Sequence, residues 1–162
     1  MDHRTVLSTL RMLAFGVLSL AASLAFSQPA RQFSFAYDQP PTTAYGIAGN
    51  IFDAKLKELS GGKMSINQFP GAQLGQEPQM LQKLRAGDID FVITSTANAS
   101  TLAPQAGVFS LHFLFRDQAH LQKALADPAI AAEFRAMVKD QVQGAQVLGL
   151  LTMGMRNMYS KQ

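Results

Sequence analysis

The hydrophobic pattern of this chain alternates between two periods. In residues 31–37 every second position is aromatic from Phe33 onward, which is typical of a strand with one buried face. The period then lengthens to about 3.6 residues, which predicts a helix capped by Thr42 or Thr43 and ended by the glycines that follow Ser60. The apolar stripe of that helix would comprise Tyr45, Ala48, Ile51, Phe52, Leu56 and Leu59.

The same pattern predicts further elements along the rest of the chain. They are strands at 63–69, 88–94 and 145–151, and helices at 79–86, 118–126 and 128–143. The continuous apolar run of the third strand indicates burial on both faces. The order βαβαβααβ predicts an α/β fold, with a mostly parallel sheet, right-handed crossovers and helices on both faces.

Ligands of open parallel sheets bind beyond the carboxyl ends of the strands, where the loops diverge. Three segments qualify here: residues 38–43, residues 95–100 and the segment after Leu151. Any binding site is therefore expected among these loops.

The first residues of the chain have the pattern of a secretory signal peptide. Arg4 and Arg11 give a basic start, an apolar run covers 12–26, and small residues precede a cleavage site after Ser27. A membrane anchor is the alternative, but the apolar run is shorter than the roughly 20 residues that a bilayer requires. We therefore expect export to the periplasm, with residues 28–162 as the mature α/β domain.

Charge and composition exclude several classes of function. Cleavage after Ser27 would reduce 14 basic and 11 acidic residues to 12 and 10, because Arg4, Arg11 and Asp2 are removed, leaving a net charge of +2. The basic residues are dispersed, so nothing indicates nucleic-acid binding. The chain has no cysteine, which excludes disulfides and thiolate metal sites.

Enzyme signatures are missing from the sequence. The glycines of GGKM and GAQLG lack the spacing of phosphate-binding or dinucleotide-binding loops, and no G-x-S-x-G motif surrounds Ser110. His112 and His120 have no clustered carboxylate, so they predict no metal site, and a cofactor is not expected. Asp88 and Asp90 fit solvated or capping positions at a strand start.

Three ordered blocks resemble a known family, the solute receptors of tripartite ATP-independent periplasmic (TRAP) transporters, the DctP-like extracytoplasmic solute-binding proteins. The blocks are SGGKMSINQFPGAQLGQEPQMLQKLRAGDIDFVIT, VFSLHFLFRDQAHLQKAL and LGLLTMGMRNMYSK. The likeness covers nearly all of residues 32–162. His112 departs from it, because proline is usual at that position.

The resemblance implies the first lobe of a two-lobe periplasmic binding protein, of the type II-like class, which closes over a small carboxylate solute and delivers it to membrane permease subunits. It implies that Arg156 is an accessory carboxylate ligand, since the principal arginine of the family would lie beyond Gln162. A guanidinium suits that role because it can donate two parallel hydrogen bonds to a carboxylate. A structural arginine paired with an acid or carbonyl near the hinge is the alternative.

The other implied contacts come from the loops after the first and third strands. They are Gln39, Tyr45, Thr96 and Asn98, although Tyr45 also fits the apolar stripe of its helix. Thr96 and Asn98 would offer neutral donors to the solute.

The resemblance also implies that residues 28–162 are an incomplete lobe, truncated before the second one. We expect an open sheet edge and no measurable affinity of this chain alone for organic acids. A periplasmic sensor lobe is the runner-up interpretation, and an exported hydrolase using Ser110 is the third.

Overall fold

The computed structural model describes residues 29–154. Its elements are β1 (Arg31–Ala36), α1 (Ala44–Ser60), β2 (Met64–Phe69), α2 (Glu77–Ala86), β3 (Phe91–Val92), α3 (Thr96–Ala99), a 3-10 helix (Pro104–Ser110), α4 (Gln118–Ala126) and α5 (Pro128–Gln141). The predicted signal peptide and Arg156 lie outside the described residues.

A three-stranded parallel sheet of order β2-β1-β3 organises the first half of this fold. Phe35 of β1 is paired with Phe91 of β3, and Ala36 is paired with Val92. The α/β class, the parallel sheet and the flanking helices predicted from the sequence are confirmed.

Successive residues of β1 face opposite sides of the sheet, because side chains alternate along a strand. Phe35 and Tyr37 pack with Tyr45 of α1 on one side. Ala36 packs with Met80 of α2 on the other. Helices therefore cover both faces, as the order of elements predicts.

The first helix buries less of its predicted stripe than expected. Its N-cap residue is Thr43, but the Thr43 hydroxyl donates to the carbonyl of Pro40 rather than capping the helix. Ile51 and Leu59 are 66% and 75% exposed. The stripe is therefore narrower than predicted, because the small sheet does not reach these two side chains.

The predicted third strand is wrong in length and burial. Only Phe91 and Val92 form β3, and both are half-buried. The reason is that β3 is an edge strand of this sheet and has a neighbour on one side only.

The predicted strand at 145–151 is wrong, because the structure has no regular element there. Instead, Arg135 of α5 donates from Nε to the carbonyl oxygen of Val147, at 3.3 Å, and from Nη2 to that of Leu148, at 3.2 Å. Ala145, Val147 and Leu150 pack against a second cluster, formed by α5 and the 3-10 helix. Side-chain bonds thus replace a strand ladder along this segment.

Candidate functional site

A cleft of about 470 Å³ lies beyond the carboxyl ends of the strands. Loops that follow β1 and β3 supply two walls, and the first residue of α2 supplies part of a third. The lining residues are Asp38, Gln39, Tyr45, Glu77, Ser95, Ala97, Asn98, Met153 and Gly154. This is the edge of the sheet at which the sequence predicts a binding site.

The loop after β1 is held in place by a turn that follows β2. The amide of Gly71 donates to the carbonyl oxygen of Gln39 at 3.0 Å, and the amide of Ala72 donates to that of Tyr37 at 3.2 Å. The Gln39 side chain donates from Nε2 to Oδ1 of Asp38 at 3.2 Å. Asp38 and Gln39 are therefore fixed at the mouth of the cleft by backbone bonds.

Tyr45 connects the cleft to the core. Its ring is buried and meets Tyr37 edge to face, with ring centroids 6.3 Å apart. Tyr37 in turn donates its hydroxyl to Oε1 of Gln68, at 2.7 Å. Tyr45 therefore packs in the core, as the stripe of its helix predicts, and it also lines the cleft.

Glu77 is a buried carboxylate at the start of α2, and it joins that helix to the loop after β3. Its Oε2 accepts from the Ser95 amide at 2.9 Å, the Ser95 hydroxyl at 2.8 Å, the Thr94 hydroxyl at 3.0 Å and Nδ2 of Asn98 at 2.6 Å. Burial opposes ionisation, but the bonds from Asn98, Ser95 and Thr94 outweigh it and hold the pKa of Glu77 below its ordinary value. Glu77 is therefore a charged hub in the wall of the cleft.

Asn98 already makes one side-chain hydrogen bond within the protein. The sequence indicates a neutral donor for a solute, but one N–H of Nδ2 is already bonded to Glu77. Asn98 lines the cleft with its amide orientation fixed by that bond.

Thr96 is the predicted site residue that does not line this cleft. Its hydroxyl lies 3.0 Å from the Ser110 hydroxyl, and it lines a neighbouring cavity of about 480 Å³ with largely apolar walls, which shares Tyr45 and Met153 with the cleft. Ser95 caps α3 and its side chain faces Glu77, whereas the Thr96 hydroxyl faces the 3-10 helix at Ser110. Arg156 cannot be located, because it lies outside the described residues.

Sequence reasoning missed Glu77 and Ser95. The available signal was an acidic residue before a proline at a helix start, in GQEP, combined with the run of small polar residues STANAS. A carboxylate at the first turn of a helix suits the helix dipole, and such a run supplies many donors.

Metal-binding clusters and membrane-spanning helices are both absent from residues 29–154. No cluster of His, Asp or Glu there could hold a metal ion. No helix within that range has the length and apolarity needed to cross a membrane.

Comparison with known proteins gives consistent results. Residues 35–162 match the family DctP, described as bacterial extracellular solute-binding protein, family 7. The chain is 30% identical over 144 residues to the 2,3-diketo-L-gulonate-binding periplasmic protein YiaO of Escherichia coli, covering 89% of this chain and 43% of that protein. It is 31% identical over 112 residues to the C4-dicarboxylate-binding protein DctB of Bacillus subtilis, covering 69% of this chain and 32% of that protein.

Solved structures show the same fold. A TRAP periplasmic solute-binding protein of Xanthobacter autotrophicus with bound β-D-galacturonate has a TM-score of 0.64 and 32% identity, over 68% of this chain and 37% of that one. The sugar acid binding protein DctPAm of Advenella mimigardefordensis, in complex with galactonate, has a TM-score of 0.63 and 27% identity, over 70% of this chain and 36% of that one. The chain spans less than half the length of these relatives, and it belongs to the DctP family of bacterial extracellular solute-binding proteins.

Proposed function

We propose that this protein is a periplasmic receptor that captures a small carboxylate solute and delivers it to the membrane permease subunits of a TRAP-type transporter. In this proposal residues 1–27 are a signal peptide cleaved after Ser27, and residues 28–162 supply one α/β lobe of the receptor. The family match over residues 35–162 is the observation that carries the proposal.

The solute class follows from the relatives. Those named above bind diketogulonate, C4-dicarboxylates, galacturonate or galactonate, all of which are carboxylates. A sugar acid carries hydroxyl groups as well as its carboxylate. The carboxylate of Asp38 and the amide of Gln39 are suited to bind those hydroxyl groups.

The carboxylate of the solute requires a cationic partner. We propose Arg156 for this contact, because a guanidinium binds a carboxylate with two parallel bonds and the residue follows the segment that lines the cleft at Met153 and Gly154. Gln39, Asn98 and Tyr45 are the proposed polar contacts on the described walls. Thr96 remains a weaker candidate, since its side chain lines the neighbouring cavity.

The test is a calorimetric titration of the complete product of the gene that encodes residues 1–162, with the second lobe that the family resemblance implies, purified from the periplasmic fraction; residues 1–162 alone are expected not to bind. The probes are D-galacturonate, galactonate and succinate, with D-galactose as a neutral control that lacks the carboxylate. We expect micromolar binding of at least one acid and no binding of D-galactose. If no acid binds, or if the neutral sugar binds as well as the acid, the proposed solute class is wrong.

Arginine variants test the proposed contact. A charge-assisted bond contributes about 1.5–3 kcal/mol, so Arg156→Gln should weaken acid binding by about tenfold or more. Arg85→Gln is the matched control, because Arg85 is exposed on α2 and lies outside the cleft. Equal affinities of the two variants would assign Arg156 a structural role.

A further inference from the structure

Glu77 connects two elements that are far apart in sequence. It begins α2, and the loop that it binds follows β3, 17 residues later at Thr94 and 21 residues later at Asn98. Glu77 is 5% exposed as a residue, and its carboxylate accepts hydrogen bonds from Thr94, Ser95 and Asn98 of that loop. These hydrogen bonds thus connect α2 to one wall of the cleft.

Polar contacts rather than apolar burial hold residues 94–98; besides the bonds to Glu77, the Thr96 hydroxyl contacts the Ser110 hydroxyl at 3.0 Å. Residues 94–98 are small or polar and none of them belongs to the buried clusters of the fold. The helix α3 has only four residues, which is too short to be stable without tertiary contacts. The Ser95 hydroxyl caps this helix by accepting from the backbone amide of Asn98 at 3.2 Å. Ser95 also donates to Glu77 from both its backbone amide and its hydroxyl.

Glu77 also sets the rotation of the Asn98 amide. Nδ2 lies 2.6 Å from Oε2 of Glu77, so the nitrogen end of the amide is directed at the carboxylate. A rotated amide would place its oxygen against a carboxylate oxygen, and two acceptors repel each other. Asn98 therefore lines the cleft with its donor and acceptor ends in fixed positions.

We propose that Glu77 is a positioning residue for solute binding, which holds Ser95 and Asn98 in the conformation that receives the solute. The inference rests on the proposed function, because it assumes that the cleft binds a solute. A loop held in its bound conformation before binding loses less conformational entropy when the solute arrives. Removing the charge of Glu77 should therefore weaken binding, because the loop loses part of the interaction that holds it in this conformation.

The first measurement needs no solute. Hydrogen exchange of the Ser95 amide is compared by NMR among the wild-type protein, Glu77→Gln and Glu133→Gln. Glu133 is exposed on α5, so this control removes the same charge elsewhere. We expect exchange about tenfold faster in Glu77→Gln than in the wild type, because the loop opens more often. Unchanged exchange of this amide would contradict the proposal.

The second measurement is the dissociation constant of the acid that binds the wild-type protein. It is taken at a temperature at which circular dichroism shows all variants to be fully folded, so that a loss of stability alone does not alter it. We expect binding to Glu77→Gln to be about threefold to tenfold weaker, and binding to Glu133→Gln to be unchanged.

The outcomes separate this proposal from the proposed function. If the wild type binds an acid and Glu77→Gln binds it equally well, Glu77 is only a structural residue and this proposal alone is wrong. If the wild type binds none of the acids, the proposed function is wrong and this proposal is wrong with it.

Discussion

The charge of Glu77 should make the stability of the protein depend on pH in a defined direction. The perturbation is Glu77→Gln, which keeps the size of the side chain and removes its charge. In the wild type a single carboxylate oxygen accepts four hydrogen bonds in a buried site. The variant replaces the carboxylate with a neutral amide, which keeps one acceptor oxygen.

The expected loss in free energy of unfolding depends on whether the acceptor is charged or neutral. A hydrogen bond to a charged group contributes about 1.5–3 kcal/mol, whereas one between neutral groups contributes about 0.5–1.5 kcal/mol. The four bonds share one oxygen and do not add. We therefore expect Glu77→Gln to lower the free energy of unfolding by about 1–3 kcal/mol at pH 7.

The direction with pH follows from the lowered pKa of Glu77. A carboxyl whose pKa is lower in the folded than in the unfolded protein stabilises the fold above its unfolded pKa, and this stabilisation is lost as the pH falls through the folded value. The difference between wild type and Glu77→Gln should therefore be full at neutral pH. It should shrink once the pH falls below the ordinary glutamate pKa of 4.5.

The assay is urea denaturation followed by circular dichroism at several pH values between neutral pH and the acid limit of folding. Glu133→Gln is the matched control and should show no such difference. Other carboxylates, including Asp53 with its lowered pKa, are common to all proteins compared and cancel in the difference. A difference that stays constant down to the acid limit, or a variant more stable than the wild type at pH 7, would refute the reasoning.

Three further predictions concern the core and the surface of the fold. Met80→Ala should lower the free energy of unfolding, measured by chemical denaturation, by about 2–5 kcal/mol, because Met80 is fully buried. Met64→Ala is the control and should cost less than about 1 kcal/mol, because Met64 is partly exposed. Equal losses for the two variants would contradict the burial of Met80 in the core. Arg135→Met removes the donors to the carbonyl groups of Val147 and Leu148, so peptide-level hydrogen exchange of residues 145–151 should become faster. An unchanged exchange rate would show that these two bonds do not hold the segment. Asp53→Ala leaves the Ile66 amide of the edge strand β2 without its acceptor and should lower the free energy of unfolding by about 1 kcal/mol at pH 7. The loss should fade in acid, because hydrogen bonds from Lys57 and from the Ile66 amide lower the pKa of Asp53. A loss that is independent of pH in urea titrations would contradict this prediction.

Local patterns in the sequence were enough to predict β1, α1, β2 and α2. Phe33, Phe35 and Tyr37 pack together in one cluster, as their alternation predicts, whereas Ala36 is buried in a second cluster that the alternation does not predict. Gly61 and Gly87 end α1 and α2 in the left-handed conformation that glycine allows. These features depend on residues that are close together in the chain, which is why the sequence pattern predicts them.

The errors arose where distant contacts decide the structure. Residues 145–151 are apolar enough for a buried strand, but Arg135 binds two of their carbonyl groups and no strand forms. Thr96 and Asn98 look equivalent in the sequence, yet the bonds of Glu77 select Asn98 for the cleft. The hydrophobic pattern carries no information about either tie, since both depend on single polar side chains.

The central claim of this account is that a carboxylate solute binds in the cleft of Asp38, Gln39, Tyr45 and Asn98. The most direct test is a crystal structure of the protein with the acid that titrates most tightly. The account predicts the solute between the loops that follow β1 and β3, with a polar atom within hydrogen-bonding distance of Gln39 or Asn98. A solute bound in the neighbouring apolar cavity, against Phe134 and Val142, would contradict it.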